Sequence, residues 1–132
     1  MFYIGGYPAA PFFLIMVYFA NVPLCPPSKS NSYKITRTGK FIKSKEVKAF
    51  EKFFILCLPA EVKAAKINTK FRLEYDVYLR NAKQDLDNTA KAILDALEAS
   101  GAIANDNLCY ELEIKKYIDK TNPRIELKLI KL

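Results

Sequence analysis

Regular alternation between apolar and polar residues marks several strands along the chain. From Phe71 to residue 79 every second side chain is apolar, which is the pattern of a strand with one buried face. The same alternation predicts strands over 109–118 and 125–131. Residues 12–20 form an uninterrupted apolar run, which predicts a buried first strand. This run is too short to cross a membrane, which takes about 20 residues.

Helical spacing of apolar residues appears first after the Ser44 position. The Ser44 hydroxyl can accept a hydrogen bond from a free backbone N–H of the first turn, so we expect a helix from this residue to about Leu58. Pro59 interrupts the helix, because proline lacks an N–H, and a short helical piece over 60–66 follows. The apolar positions of the first helix are Val47, Phe50, Phe54 and Leu58.

A second helix begins after Asp87 or Asn88, either of which can serve as its N-cap, and Gly101 can end it. Lys91 lies four residues beyond Asp87, and Asp95 lies four beyond Lys91, so these three residues share one polar face. The predicted apolar stripe of this helix consists of Ala90, Ile93, Leu94 and Leu97.

A small basic hairpin precedes the first helix. Residues 33–37 and 40–43 are expected to pair across a turn at Thr38-Gly39, after a proline-rich loop over 26–31. The element order is strand, hairpin, helix, strand, helix, strand, strand. This order predicts an α+β (mixed α/β) fold with two helices packed on one sheet. We expect residues 1–132 to form a single domain, with residues 1–10 as an N-terminal extension.

Composition excludes several classes of protein. Apolar residues make up 51% and charged residues 27% of the chain, which argues against disorder. The absence of histidine excludes histidine-dependent catalytic triads and most zinc hydrolases. Cys25, Cys57 and Cys109 are odd in number and widely separated, which favours a reducing cytoplasm over a disulfide framework. No basic segment precedes the apolar run, so a signal peptide is not expected, nor is membrane attachment.

The positive charge is concentrated in one half of the chain. The net charge is +7, and residues 29–72 hold twelve Lys and Arg against three Asp and Glu. Residues 73–132 hold nine against eleven. A basic half beside an acidic one suits a polyanion such as DNA, although a solvated hairpin explains part of the pattern equally well. The residues expected to contact DNA are Lys29, Lys34, Arg37, Lys40, Lys43, Arg80 and Lys83.

Carboxylates are grouped around the start of the second helix. Asp85 and Asp87 precede it, and Asp106 follows six residues after its last turn. A helix over 88–99 rises about 18 Å, and six extended residues span at most about 20 Å. If the chain doubles straight back, Asp106 lies beside Asp85 and Asp87, close to Lys91. The alternative is that each acid merely caps or solvates the helix.

Converging carboxylates repel one another unless a cation neutralises them. Because the chain has no histidine, the expected cation is one that prefers oxygen ligands, and Mg²⁺ fits because it accepts carboxylates, water and phosphate oxygens. We therefore assign Asp85, Asp87 and Asp106 as metal-binding and catalytic residues of a phosphodiester hydrolase. Lys91 would stabilise negative charge on the phosphoryl group. Asn88 would orient a carboxylate or cap the helix, and Asp95 would pair with Lys91 rather than bind the metal.

The same residues resemble the signature of the RusA-type Holliday junction resolvases. The motif elements are Asp85-Leu-Asp87-Asn88, then Lys91, then Asp95-Ala-Leu97, then Asp106, and a weaker point of resemblance is Pro26-Pro-Ser before Tyr33. The resemblance covers roughly residues 12–130. It implies a cytoplasmic homodimer that cuts four-way DNA junctions by paired nicks, with Mg²⁺ as its cofactor and Mn²⁺ as a possible substitute.

This chain departs from the family pattern where Asn105 precedes Asp106, because the family commonly has two aspartates followed by a glutamine-containing run. Asp106, the residue that matches the catalytic aspartate of the family, is retained. The replacement of its neighbour by Asn105 and the missing glutamine would alter the surroundings of the metal. Two other functions stay open at this point: a catalytically inactive nucleic-acid-binding relative, and a metal-dependent hydrolase of other phosphodiesters. The intact carboxylate and lysine set disfavours the first, and the basic segment disfavours the second.

Overall fold

A computed structural model of the chain describes residues 3–4, 7–8, 16–27 and 33–132. Most of the predicted N-terminal extension and half of the predicted first strand lie outside these residues. The described strands are β1 (Tyr3–Ile4), β2 (Tyr7–Pro8), β3 (Val17–Val22), β4 (Tyr33–Ile35), β5 (Phe41–Lys43), β6 (Phe71–Leu79), β7 (Cys109–Ile118) and β8 (Arg124–Lys131). The helices are α1 (Lys45–Cys57), α2 (Ala60–Lys63), α3 (Asn88–Ser100) and a 3₁₀ helix, Asp106–Leu108.

The central sheet has four strands in the order β3-β8-β6-β7. β8 runs antiparallel to both of its neighbours, whereas β6 and β7 are parallel. Parallel strands need a crossover connection, and α3 supplies it. The predicted α+β fold, with one sheet and two principal helices, is confirmed.

The first strand differs in one respect from its prediction. Rather than a buried strand, β3 is an edge strand of the described sheet, paired on one side with β8. Ala20 and Val22 face the core, but 63% of the Phe19 side chain and 40% of Val17 are exposed. An edge strand of a sheet covered on one face alternates between core and solvent, which a continuous apolar run does not show.

The core lies between the sheet and the helix layer formed by α1 and α3, which pack against each other. In β6 every second residue from Phe71 is buried, as the alternation predicts. The intervening residues lie on the opposite face, where Arg72 forms ion pairs with Glu74, Glu111 and Glu113. This charged face explains why the sheet needs no second layer of helices.

The predicted cap of α1 is confirmed. Ser44 Oγ accepts a hydrogen bond from the Val47 backbone N–H at 3.3 Å, and Val47, Phe50 and Phe54 are buried. The helix ends at Cys57, with Leu58 as its C-cap and Pro59 next. The short α2 covers one turn instead of the predicted 60–66, because residue 67 already forms a bridge to Ile103.

The predicted second helix is α3, and Gly101 ends it with a left-handed φ of 87°. Its buried face is displaced from the predicted stripe. Ile93 and Leu97 are buried as expected, but Ala90 and Leu94 are only half-buried. Thr89, Ala92 and Ala96 complete the buried face instead.

The basic hairpin is also confirmed, with β4 and β5 shorter than predicted. The turn places Gly39 at a φ of 82°, which glycine adopts without strain, and the Thr36 N–H donates to the Lys40 carbonyl across it at 2.8 Å.

Candidate active site

The loop that carries Asp85 and Asp87 leaves β6 at Leu79 and enters α3 at Asn88. Two groups from distant parts of the chain hold it. The Lys116 ammonium, from β7, donates to the carbonyls of Ala82 at 3.2 Å and Gln84 at 2.9 Å. The Gln84 side chain donates in turn to the carbonyls of Pro26 at 3.1 Å and Pro27 at 3.3 Å. The acidic loop is therefore fastened to the sheet and to the proline-rich segment.

Asp85 and Asp87 themselves are exposed. Asp87 occupies the N-cap position of α3, as predicted, but it has helical backbone angles and makes no side-chain capping hydrogen bond. The loss of a capping partner costs the helix little here, because the Thr89 N–H is bonded to the Leu86 carbonyl. Neither carboxylate accepts a capping hydrogen bond from the first turn of α3. Both are exposed, so their oxygens are accessible to a ligand.

Lys91 and Asp95 form the predicted ion pair. Lys91 Nζ lies 3.4 Å from Asp95 Oδ2, and the lysine side chain is 63% exposed while the aspartate is 15% exposed. The ion pair that helical spacing predicts between Asp95 and Lys91 is therefore present. The pair lies one to two turns into α3, on the helix that Asp87 begins.

Asp106 does not lie where chain reach predicted. Its backbone N–H donates to Glu98 Oε1 at 2.9 Å, near the C-terminal end of α3, and Glu98 is ten residues or about 15 Å beyond the start of that helix. Among the described residues, no three carboxylate or thiol side chains are close enough together to hold a metal ion. The expected meeting of Asp85, Asp87 and Asp106 within one chain is therefore wrong.

The parallel pairing of β6 and β7 explains this separation. Cys109 pairs with Phe71 at the start of β6, so Asp106, just before Cys109, lies at that end of the sheet. Asp85 and Asp87 come after the other end of β6. That strand has nine residues and is about 26 Å long. The residues between α3 and Asp106 stay near the C-terminal end of the helix, and the chain returns toward the acidic loop only along β7.

The predicted DNA-contacting residues are found in different environments. Arg37, Lys40, Arg80 and Lys83 are exposed, as phosphate contacts require. Lys43 instead forms an ion pair with Glu51 of α1, which neutralises it. Lys29 and the side chain of Lys34 lie outside what the structure describes.

Two buried hydroxyl groups beneath the acidic loop were not anticipated. Thr89 is fully buried, and its hydroxyl donates to the Leu86 carbonyl at 2.7 Å. Thr89 Oγ1 lies 2.5 Å from the Tyr75 hydroxyl, and burial raises the pKa of Tyr75 to about 12. A lysine at an apolar position of the β7 alternation was the available signal for Lys116, whereas nothing in the sequence distinguishes Thr89 from a surface threonine.

Exposed carboxylates on a braced loop, with exposed basic side chains on the same loop, are compatible with a nuclease site. Comparison with known proteins identifies the family. Residues 23–130 match the family described as Endodeoxyribonuclease RusA. A crossover junction endodeoxyribonuclease RusA from Aquifex aeolicus (strain VF5) is 31% identical over 116 residues, which cover 87% of this chain and 90% of the relative. The chain belongs to the RusA family of endodeoxyribonucleases.

One further finding concerns membranes. None of the helices described in the structure is long and apolar enough to cross a lipid bilayer.

Proposed function

We propose that this endonuclease cuts four-way DNA junctions by paired phosphodiester hydrolysis, with Mg²⁺ as its cofactor and Mn²⁺ as a substitute. The observation that carries the proposal is the pair of exposed side chains of Asp85 and Asp87, on a loop braced from three directions, in a chain that belongs to the RusA family. A loop fixed by hydrogen bonds from β7, from α3 and from the proline-rich segment holds its carboxylates in a defined geometry, which catalysis requires.

The donor set at this loop fits Mg²⁺. Asp85 and Asp87 offer carboxylate oxygens, and Mg²⁺ is typically held by one or two carboxylates with water and substrate phosphate filling the other positions. When bound, the cation would polarise the scissile phosphate and stabilise the leaving oxygen. Lys91, on the same helix end, would interact with the negative charge that grows on the phosphoryl oxygens. Asn88 would orient one of the carboxylates.

We assign Asp106 to the same site through a second copy of the chain. Within one protomer it lies at the opposite end of β6 from Asp85, so a complete set of three carboxylates requires a homodimer. A two-fold dimer also matches the symmetry of a four-way junction, in which two strands are cut. In such a dimer Asp106 of one protomer would lie beside the partner's Asp85.

The surface best suited to this dimer is the free edge of β7. Two apolar side chains on its helix side are not covered by α3, since Leu112 is 45% and Ile118 47% exposed. Antiparallel pairing of two β7 strands about Ile114 would bring Glu113 opposite the partner's Lys115, and Lys115 opposite the partner's Glu113. The strand is therefore self-complementary in charge.

This pairing also accounts for the position of Asp106. In antiparallel strands, the start of one β7 lies beside the end of the other. Lys116, near the end of β7, holds the carbonyl immediately before Asp85. Docking along the β7 edge would therefore bring Asp106 to the end of the joined sheet that carries the partner's acidic loop.

The charge distribution supports DNA on the loop and helix side of the molecule. On the uncovered sheet face three of the described cations are engaged: Arg72 and Lys128 both pair with Glu74, and Arg124 pairs with Asp119 and Glu126. In contrast, Arg37 and Lys40 of the hairpin, with Arg80 and Lys83 of the acidic loop, are exposed and form no ion pair among the described residues. Phosphates would bind those side chains without first breaking an ion pair.

The test is to incubate the protein with a labelled four-way junction and with a linear duplex of the same sequence, with and without Mg²⁺. Junction-selective nicking that requires the cation is expected. Asp87→Asn should lower the nicking rate at least 100-fold, equivalent to about 2.7 kcal/mol in the barrier, because asparagine keeps the shape but loses the anionic oxygen. The folded fraction should stay unchanged, since Asn is as good as Asp at an N-cap position.

Lys52→Gln, on the exposed face of α1, is the matched control that removes one exposed charge and should nick normally. Equal nicking of junction and duplex, or full activity in Asp87→Asn, would contradict the proposal. Hydrolysis of a small phosphodiester with no junction cleavage would favour the alternative substrate class, and junction binding without cleavage would favour an inactive relative.

A further inference from the structure

Each carboxylate of the acidic loop follows a peptide carbonyl that is bound by a side chain from another element. The Gln84 carbonyl, directly before Asp85, accepts a hydrogen bond from the Lys116 ammonium at 2.9 Å. The Leu86 carbonyl, directly before Asp87, accepts one from the Thr89 hydroxyl at 2.7 Å. The two contacts come from opposite sides, one from β7 and one from the first turn of α3.

The Thr89 hydroxyl also forms a hydrogen bond with the hydroxyl of Tyr75. Threonine has one hydroxyl proton, and this proton goes to the Leu86 carbonyl. The Tyr75 hydroxyl, 2.5 Å away, must therefore donate its proton to Thr89 Oγ1. Tyr75 is 2% exposed and belongs to the central strand β6, so the chain of hydrogen bonds runs from the rigid sheet to the peptide before Asp87.

Lys116 occupies a position that the β7 pattern would give to an apolar residue. Its neighbours on the helix side of the strand are Leu112, Ile114 and Ile118. The Lys116 ammonium reaches two carbonyls of the loop, at Ala82 and Gln84. These contacts explain why a lysine occupies this position, which the apolar pattern of the strand does not.

We propose that Lys116 and the Tyr75–Thr89 pair are positioning residues that fix the orientation of Asp85 and Asp87 toward a divalent cation. Because a peptide unit is planar, holding its carbonyl also holds the N–H and Cα of the next residue. With the planes before Asp85 and Asp87 both fixed, each aspartate retains freedom mainly in its own side chain. This inference rests on the proposed function, since it concerns the same carboxylates.

Residues that orient metal ligands typically change metal affinity 10–100-fold when they are removed. We expect Lys116→Met and Thr89→Val each to weaken Mn²⁺ binding at least tenfold, measured on the full chain by electron paramagnetic resonance. The Mg²⁺ concentration for half-maximal junction nicking should rise in parallel. Tyr75→Phe should give a smaller change in the same direction, because Thr89 keeps its bond to Leu86. Thr89→Ser, which retains the hydroxyl, should restore wild-type binding.

Amide hydrogen exchange separates positioning from general loss of stability. In Lys116→Met and Thr89→Val, exchange at residues 85–88 should become faster while exchange in β6 and β8 stays at the wild-type rate. Ser44→Ala is the matched control: it removes the cap of α1, costs the fold stability, and lies outside the acidic loop. It should leave both Mn²⁺ affinity and exchange at 85–88 unchanged.

Unchanged Mn²⁺ affinity in both Lys116→Met and Thr89→Val, with a wild-type enzyme that binds the ion normally, overturns this inference alone. A Mn²⁺ affinity that falls equally in Ser44→Ala also overturns it. A wild-type enzyme that binds no divalent cation overturns the proposed function and this inference together. If Thr89→Val fails to fold, Lys116→Met decides the question, because Lys116 is a partly exposed residue on an edge strand.

Discussion

Tyr75 lies deep in the core and yet bears a titratable hydroxyl. Burial raises its pKa to about 12, against about 10 for a tyrosine in an unfolded chain. The folded protein therefore holds this proton more tightly than the unfolded chain does. Stability from this group is fully present below about pH 10 and is lost as the pH rises from about 10 to about 12.

We expect the free energy of unfolding to fall across that window by up to about 1.4 kcal/mol per pH unit from Tyr75 alone. Tyr75→Phe removes the group and should flatten the dependence, while costing stability at neutral pH through the lost hydrogen bond to Thr89. Urea unfolding of both proteins at several pH values between about 9 and 12 measures the difference. Parallel curves for the two proteins would contradict the prediction.

Residue types could be predicted from sequence more securely than residue partners. The pairing of Lys91 with Asp95 follows from helical spacing, and the structure contains it. The pairing of Lys43 with Glu51 joins a strand to a helix, and no spacing rule reveals it. Lys116 likewise contacts a loop more than thirty residues earlier in the chain, so its position depends on the parallel pairing of β6 with β7.

At the scale of elements, Gly101 determines where α3 ends. Its φ of 87° is left-handed, and a Cβ there would meet only the Lys63 carbonyl at an ordinary contact distance of 3.8 Å. Gly101→Ala should therefore cost about 1 kcal/mol from backbone strain alone, without a clash. Chemical denaturation should show a lower midpoint with an unchanged slope. The folded variant should still nick junctions, because the added methyl group meets no atom closer than an ordinary contact distance.

The existence and type of each principal element followed from periodicity, whereas the buried face of α3 did not. The predicted stripe favoured large side chains such as Leu94. The structure instead turns Ala92 and Ala96 inward, where small residues let α3 approach α1 closely. Hydrophobicity alone ranks leucine above alanine, so a close helix–helix contact is missed when neighbouring elements are unknown.

For the whole molecule, the proposed β7 interface makes a geometric prediction. A residue at the centre of a two-fold antiparallel pair faces its own copy, with Cβ atoms about 5 Å apart. In a background where Cys25, Cys57 and Cys109 are replaced by serine, Ile114→Cys should form a disulfide-linked dimer under mild oxidation. Phe53→Cys, at an exposed apolar position on α1, is the matched control and should stay uncrosslinked.

Light scattering on the unmodified protein should give the mass of two chains. A monomer at all concentrations, or equal crosslinking of the Phe53→Cys variant, would remove the basis for placing Asp106 beside the partner's acidic loop.

The position of Asp106 relative to Asp85 and Asp87 could not be predicted from the sequence. Chain reach gives the greatest distance that a segment can span, but it does not give direction. The direction was set by the parallel strand that follows Asp106, and parallel pairing is decided by contacts across the entire sheet. The motif supplies the three carboxylates that we propose for the site, while their arrangement depends on topology.

The order of strands also determines when the sheet can fold during synthesis of the chain. β8, the last strand in the chain, lies in the interior of the sheet between β3 and β6, and β3 finds its partner only there. A nascent chain on the ribosome therefore cannot complete its sheet until residues up to Lys131 have emerged. Until then β3 and β6 lack the strand that joins them, and premature termination even a few residues before Arg124 would leave both without a common neighbour. Assembly of the described sheet therefore depends on the synthesis of β8.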